Sequence, residues 1–189
     1  LEESLQASIE EVSTMRTMLE EMLALARLES IDFQDEDLIC DPTEVSNFLK
    51  KNFLLIHPDL KLTVENDLSS GRLAHIYPNH YEQGLKILID NAIKYSPEDR
   101  QEVKIHLEED DEYIITTVED RGYGISQEDL KHVFERFFRA DKARNRDIGG
   151  TGLGLSIIQR IVENYEGDVS VTSVVGEGSK FTLKIPKIK

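Results

Sequence analysis

The chain has 189 residues, 39% of them apolar, and carries 37 acids against 22 bases for a net charge of −15. That apolar content supports a real core and excludes a disordered chain, and the charge excludes a general nucleic-acid binder. A single cysteine, Cys40, excludes an internal disulfide or a paired-cysteine metal site and fits a reducing compartment. No apolar run approaches the roughly 18 residues of a membrane span. The charge is uneven: residues 1–40 hold 11 acids and 2 bases, whereas "KHVFERFFRADKARNR" (131–146) holds 6 bases and 2 acids. Such an island is either a ligand-facing cluster or a solvated loop.

Residues 1–29 contain neither Gly nor Pro and read as one long helix. Leu5, Val12, Leu19 and Ala26 recur every seven residues, as do Leu1, Ser8, Met15 and Met22, which predicts an a/d stripe. Such a helix needs a partner, either a bundle helix or its own domain. Residues 30–42 predict a linker running into a short strand, and "DPTEVSNFLKKNF" starts a second helix with N-terminal chemistry at Asp41-Pro42. Strands are predicted at 60–67 and 72–78, and a helix at 79–96 closed by Pro97. A hairpin follows over 101–120 with its turn at Asp110-Asp111, then a short helix around 126–134. "GGTGLGLSIIQRIVENYEG" is a glycine-rich loop running into a helix, and "DVSVTSV" and "KFTLKIP" form a last hairpin. The expected fold is an α/β two-layer sandwich, a mixed sheet of about five strands covered on one face by about three helices. The long bundle-forming helix precedes it.

Three segments carry candidate chemistry. On a helical wheel of 100° per residue, Leu85, Leu88, Ile89, Ala92 and Ile93 face a core while Ile87, Asn91, Lys94 and Tyr95 gather opposite. An amide oxygen can ligate Mg²⁺, an ammonium meets phosphate and a ring packs on a base. Plain helix solvation would also place such a trio. "VEDRGYGI" puts Asp120 at the end of an apolar strand before Gly122 and Gly124. That carboxylate can accept a bond from an exocyclic amine, and the glycines admit close approach, although a simple tight turn looks the same. "GGTGLGLS" presents backbone N–H groups to an anion at a helix start. It is neither a Walker A loop nor a dinucleotide fingerprint; a flexible hinge is the plain alternative.

Taken in order, "DNAIKYSP", "DRGYGI", "FERFFRADKAR", "GGTGLGLSI" and "GEGS" resemble the N box, first glycine box, F box, second glycine box and third glycine box of sensor histidine kinases. Those are the kinases of bacterial two-component systems, in the GHKL superfamily. The resemblance covers residues 38–189, and "ALARLES" resembles the end of the second helix of a dimerisation and phosphotransfer hairpin. Any one box is weak; five in order are specific. The resemblance implies a Bergerat-type ATP fold, with residues 1–30 as the second hairpin helix, 31–37 as a linker and 38–189 as the catalytic ATP-binding domain. It implies that Asn91 ligates Mg²⁺, Lys94 touches phosphate, Tyr95 covers adenine, and Asp120 binds adenine N6 with Gly122, Gly124 and Ile125 beside it. Arg139, Lys142 and Arg144 would reach phosphate from a mobile lid. Phe134, Phe137 and Phe138 would anchor that lid, with plain core packing as the alternative. Gly150, Thr151, Gly152, Leu153, Gly154 and Leu155 would frame the triphosphate, with Ser156 in the start of the helix.

Two departures qualify the resemblance. Ile87 stands where the N box often carries an earlier Asn, which implies altered fine-tuning. None of the five histidines, His57, His75, His80, His106 and His132, lies in a phosphoacceptor box. The chain is therefore expected to be a truncated kinase whose acceptor sits on a missing first hairpin helix. The activity implied is transfer of the ATP γ-phosphoryl group to a histidine, with ATP and Mg²⁺ as cofactors. The implied partners are a response regulator receiver domain and a second copy of the kinase. The implied location is the cytoplasmic portion of a membrane-anchored bacterial sensor. The rivals are an ATP-gated machine of the gyrase, Hsp90 or MutL type, a serine kinase acting on an anti-anti-sigma factor, and a binding-only pseudokinase.

Overall fold

The computed structural model describes residues 2–28, 37–140 and 150–188. Alternating apolar residues build its sheet. β2 (Glu102–Glu109) buries Val103, Ile105 and Leu107, and β3 (Tyr113–Asp120) buries Ile114, Thr116 and Val118, as the two-residue period of a strand demands. Between them one oxygen of Asp110 accepts the N–H groups of Glu112 (2.9 Å) and Tyr113 (2.8 Å), an Asx turn that closes the hairpin. β4 (Asp168–Val174) and β5 (Gly178–Pro186) form the second hairpin, and β1 (Lys61–Asn66) lies at the far edge. The strand order is β1-β2-β3-β5-β4; β1 and β2 are parallel and all other pairs antiparallel. This is the expected mixed five-stranded sheet.

Three helices supply the other layer. α2 (Pro42–Ile56) starts where Asp41 Oδ1 accepts the N–H groups of Thr43 (2.8 Å) and Glu44 (3.1 Å), with Pro42 in the first turn where its missing donor is harmless. α3 (Pro78–Lys94) buries Tyr81, Leu85, Leu88, Ile89 and Ala92 in the shared core. Ile93 and Ile87 pack against that core only partly buried. α4 (Gly154–Asn164) buries Ile157, Ile158, Ile161 and Val162.

α1 (Glu2–Leu28) docks on its own domain along its last third. Leu25 and Leu28 are buried, Met18 packs against the core, and Asn164 Nδ2 donates to the Leu28 carbonyl at 2.7 Å. The face that docks is not the seven-residue stripe: Leu5, Val12, Met15 and Leu19 stay 60–67% exposed. The helix therefore packs on its own domain through one face and leaves the seven-residue stripe exposed.

Some expected elements do not form. Instead of a strand at 72–78 there is one bridging residue, Ala74, which pairs with Cys40 and with Lys187. His75 N–H still reaches the Pro186 carbonyl (2.8 Å), but the chain turns into α3 at Pro78 and the pairing goes no further. The short strand expected before residue 42 is likewise the single bridge at Cys40. Around 126–134 only a 3₁₀ turn, Asp129–Lys131, appears. Val133 is the one buried apolar side chain there, too few for a helical stripe. Cys40 is fully buried, and burial, with Asp41 and Glu44 adding to it, pushes its thiol up to about 12, so it is a packing residue. Among the described residues no helix is long and apolar enough to cross a membrane.

Candidate functional site

The inward stripe of β3, Ile114–Thr116–Val118, ends in a carboxylate. Asp120 occupies the next inward position and is only 7% exposed. Its Oδ1 accepts the N–H groups of Gly122 (2.8 Å) and Ser179 (3.2 Å). Both bonds fall on one oxygen, which leaves the second for the cavity that Asp120 lines. Burial raises the pKa of this group above 3.8, and the two backbone donors counter that rise by stabilising the charged form.

The cavity measures about 280 Å³ and opens between the end of α3, the end of β3, the start of β5 and the 133–140 segment. Asn91 enters it from α3 and Tyr95 from the C-cap of that helix, Gly124 and Ile125 from the loop after β3, Arg139 from the 133–140 segment, and Leu155 from α4. Its glycines are there for reasons of space. A Cβ on Gly122 would strike the Tyr95 carbonyl, one on Gly124 (φ +69°) the Val174 carbonyl, and one on Gly178 (φ +125°) the Asp120 carbonyl. The loop is further tied by Tyr123 N–H to the Tyr95 carbonyl (2.9 Å) and Ile125 N–H to Ser173 Oγ (2.8 Å). A larger groove, about 610 Å³, runs between 131–136 and α4, past Phe134 and Ser156. It contains neither Asp120 nor Asn91, which line the smaller cavity.

Lys94 ends α3 beside that cavity. Its ammonium lies 5.2 Å from the centroid of the Tyr95 ring, and a Cβ on Gly150 (φ +130°) would collide with it. Burial lowers the Lys94 pKa, as does Arg139; Glu21 and Asp90 oppose them. Thr151 is buried, and its hydroxyl accepts the Leu153 N–H (3.2 Å) while donating to Glu21 of α1. Gly152 (φ +75°) sits against the backbone of Phe137 and Phe138, and its carbonyl accepts the Phe137 N–H at 2.9 Å. Leu153 is buried in the core, and Gly154 abuts Ile87. A cationic side chain, a left-handed glycine loop and a helix start therefore meet at one end of the cavity, an arrangement suited to anions.

Of the sequence-predicted residues, the structure thus gathers Asn91, Tyr95, Asp120, Gly124, Ile125, Arg139 and Leu155 on one cavity, with Gly122 behind it and Lys94, Gly150 and Thr151 at its edge. Lys142 and Arg144 lie outside the described residues. Of the three phenylalanines, Phe138 lines the cavity, Phe134 faces the larger groove and Phe137 is half exposed with φ +65°. None is buried in the core. Ser179, Phe181 and Val133 also line the site, outside the motifs that the sequence marks. The alternation of β5, which buries Ser179, Phe181, Leu183 and Ile185, could have found the first two. The carboxylate of Glu21 had no local signal at all.

Comparison with known proteins shows the family. A family described as histidine kinase-, DNA gyrase B-, and HSP90-like ATPase matches residues 77–189. The signal transduction histidine-protein kinase ArlS of Staphylococcus aureus (strain USA300) is 34% identical over 184 residues, covering 97% of this chain and 40% of ArlS. This chain thus spans about 40% of the length of the curated relatives it matches. The Acinetobacter baumannii histidine kinase AdeS superposes with a TM-score of 0.71 at 27% identity, over 96% of this chain and 83% of that one. Full-length ShkA in complex with AMPPNP superposes at 0.76 over 99% of this chain and 39% of its own, and at 20% identity it shows the fold alone. The chain belongs to the histidine kinase-, DNA gyrase B- and HSP90-like ATPase family, and within it to the ATP-binding catalytic domains of sensor histidine kinases.

Proposed function

We propose that this chain binds Mg·ATP in the Asp120 cavity and presents its γ-phosphoryl group to a histidine, for relay to the aspartyl receiver domain of a response regulator. The observation that carries the reading is the buried Asp120 carboxylate on the cavity wall, with one oxygen fixed by two backbone N–H groups and the other left for a ligand. In this reading that oxygen accepts the adenine N6 amine, Tyr95 covers the ring, and Gly122, Gly124 and Ile125 let the base lie close. Lys94, Arg139 and the Gly150–Leu155 loop hold the phosphates, and Lys142 and Arg144 belong to the same basic segment.

Asn91 suits a magnesium ion. Among the described residues no group of three or more His, Cys, Asp or Glu could hold a metal by itself. Mg²⁺ commonly takes one or two protein oxygens and completes its shell with phosphate and water, and the Asn91 amide oxygen on the cavity wall provides such a ligand. When bound, the ion would neutralise charge on the phosphate oxygens. Positioning and charge neutralisation by the residues named would supply the remaining rate. A gyrase-type ATPase would need a carboxylate near Asn91 to activate water. Glu82 lies nine residues earlier on α3, roughly 13 Å along the axis.

By the same reading, residues 1–30 form the second helix of a dimerisation hairpin, 31–37 a linker and 38–189 the catalytic domain. The acceptor histidine is then supplied by another helix, in a sensor anchored at the cytoplasmic side of a membrane. Titration calorimetry tests the site: ATP should bind with a magnesium dependence and GTP far more weakly. Equal affinities would remove Asp120 from its role. An acceptor hairpin supplied on a second polypeptide should become phosphorylated at histidine, slowly because the parts are unlinked.

A further inference from the structure

The side-chain contact between α1 and the glycine loop joins two parts that the function treats separately. Glu21 lies on the docked face of α1, one turn before Leu25 and two before Leu28, both buried. Its carboxylate accepts the hydroxyl of Thr151, a buried residue of the loop beside Lys94. That hydroxyl also accepts the Leu153 N–H at 3.2 Å, so the carboxylate is linked through one side chain to the backbone at the start of α4. The negative charge of Glu21 acts on the Lys94 ammonium, which a Cβ on Gly150 would touch. An acid in this place meets what a phosphate oxygen would seek: a hydroxyl donor, an ammonium and the positive end of a helix.

We propose that Glu21 occupies a phosphate subsite of the cleft, so that the phosphates of a bound nucleotide must displace it and loosen α1 from α4. This rests on the nucleotide reading above. A carboxylate and a phosphate cannot share one hydroxyl and one ammonium without strong repulsion. Nucleotide phosphate and the docked α1 therefore exclude each other, while adenine recognition at Asp120 is indifferent to both. Glu21 thereby sets how much each added phosphate contributes to affinity, and it links cleft occupancy to the position of α1.

The experiment compares Glu21→Gln with wild type in the full chain, using adenosine and a non-hydrolysable ATP analogue with Mg²⁺. Glu20→Gln is the control, because Glu20 is exposed and, among the described residues, pairs with Arg16 (2.9 Å). The analogue should bind Glu21→Gln roughly tenfold more tightly, with adenosine unchanged and Glu20→Gln like wild type. In wild type, amide exchange over residues 20–28 should rise when the analogue is added and stay constant with adenosine. An unchanged analogue affinity in Glu21→Gln, or α1 amides that stay protected with the analogue bound, overturns the assignment. If adenosine still binds in that case, the adenine site stands without it. Loss of all adenine binding in wild type overturns both.

Discussion

The two ends of the cavity are built from different materials. At the Asp120 end the wall is set by backbone: two N–H groups fix the carboxylate, and Gly122, Gly124 and Gly178 are positions where a single methyl would strike a carbonyl. At the Lys94 end it is set by polar side chains: Lys94, Arg139 and the Thr151 hydroxyl, with Glu21 as a counter-charge. A site made by close backbone approach fails all at once, whereas a site made by charge degrades by degrees. Selectivity for the base and strength of phosphate binding should therefore be separable by mutation.

The most severe break is expected at Gly178. With φ +125° and the Asp120 carbonyl in the path of a new Cβ, Gly178→Ala combines a nearly glycine-only conformation with a backbone collision. It should destabilise the fold by about 3 kcal/mol or more and abolish adenosine binding, measured by urea denaturation and calorimetry. A variant of wild-type stability would mean that β5 can shift away from β3 at no cost, contrary to the comparison.

Next comes Asp120→Asn, which keeps the shape and removes the charge. Adenosine and ATP should lose the same affinity, about 1–3 kcal/mol. Acid tests the same group without mutation. Burial raises the Asp120 pKa above 3.8, so in falling pH the folded protein takes up this proton before the unfolded chain does. Acidification therefore does not destabilise the fold through this group. It removes the charged acceptor, and adenosine affinity should fall at a pH above 3.8 in wild type but not in Asp120→Asn.

Lys94→Met sharpens the contrast from the other end. ATP should bind about 1–2 kcal/mol more weakly, while adenosine changes little, apart from the lost cation–ring contact with Tyr95. A drop of equal size for both ligands would show that the two ends are one unit.

The smallest effect concerns the scaffold. His80, at the start of α3, has its Nδ1 2.6 Å from the Tyr165 hydroxyl, and burial lowers its pKa below 6.5. The unfolded chain thus gains this proton more readily than the folded one. The contribution of neutral His80 is complete above pH 6.5 and is lost as the pH falls below it. Thermal denaturation should show a modest decline there, of about 1 kcal/mol or less, that His80→Phe flattens.

The sequence made the backbone end of this site legible. Asp120 could be read because an alternating apolar strand runs into it and two glycines follow. The N-box face of α3 could be read because helical spacing separates Asn91 and Tyr95 from Leu85 and Leu88. The sheet followed from alternation, except where a pattern had no room to be used: residues 72–78 alternate well, yet before the turn at Pro78 only Ala74 forms bridges, to Cys40 and Lys187. Phe137 has a positive φ and donates its N–H to the Gly152 carbonyl, far along the chain, and no local pattern signals either. Glu21 is one of 11 acids in residues 1–40. Nothing local marks it, since its position in the cleft depends on which face of α1 meets α4.

The parallel pairing of β1 with β2 carries a kinetic consequence. Two parallel neighbours cannot be joined by a tight turn, so the chain from Asn66 to Glu102 has to cross the sheet, and α3 is that crossing. The edge strand can zip up only after α3 has formed and settled on the other layer, whereas both hairpins close from local contacts. Residues Asn91, Lys94 and Tyr95 therefore ride on an element the domain must complete in order to fold. Hydrogen exchange in the middle of α3 should accordingly report global unfolding, and a folding intermediate holding β2–β3 and β4–β5 alone would be blind to nucleotide.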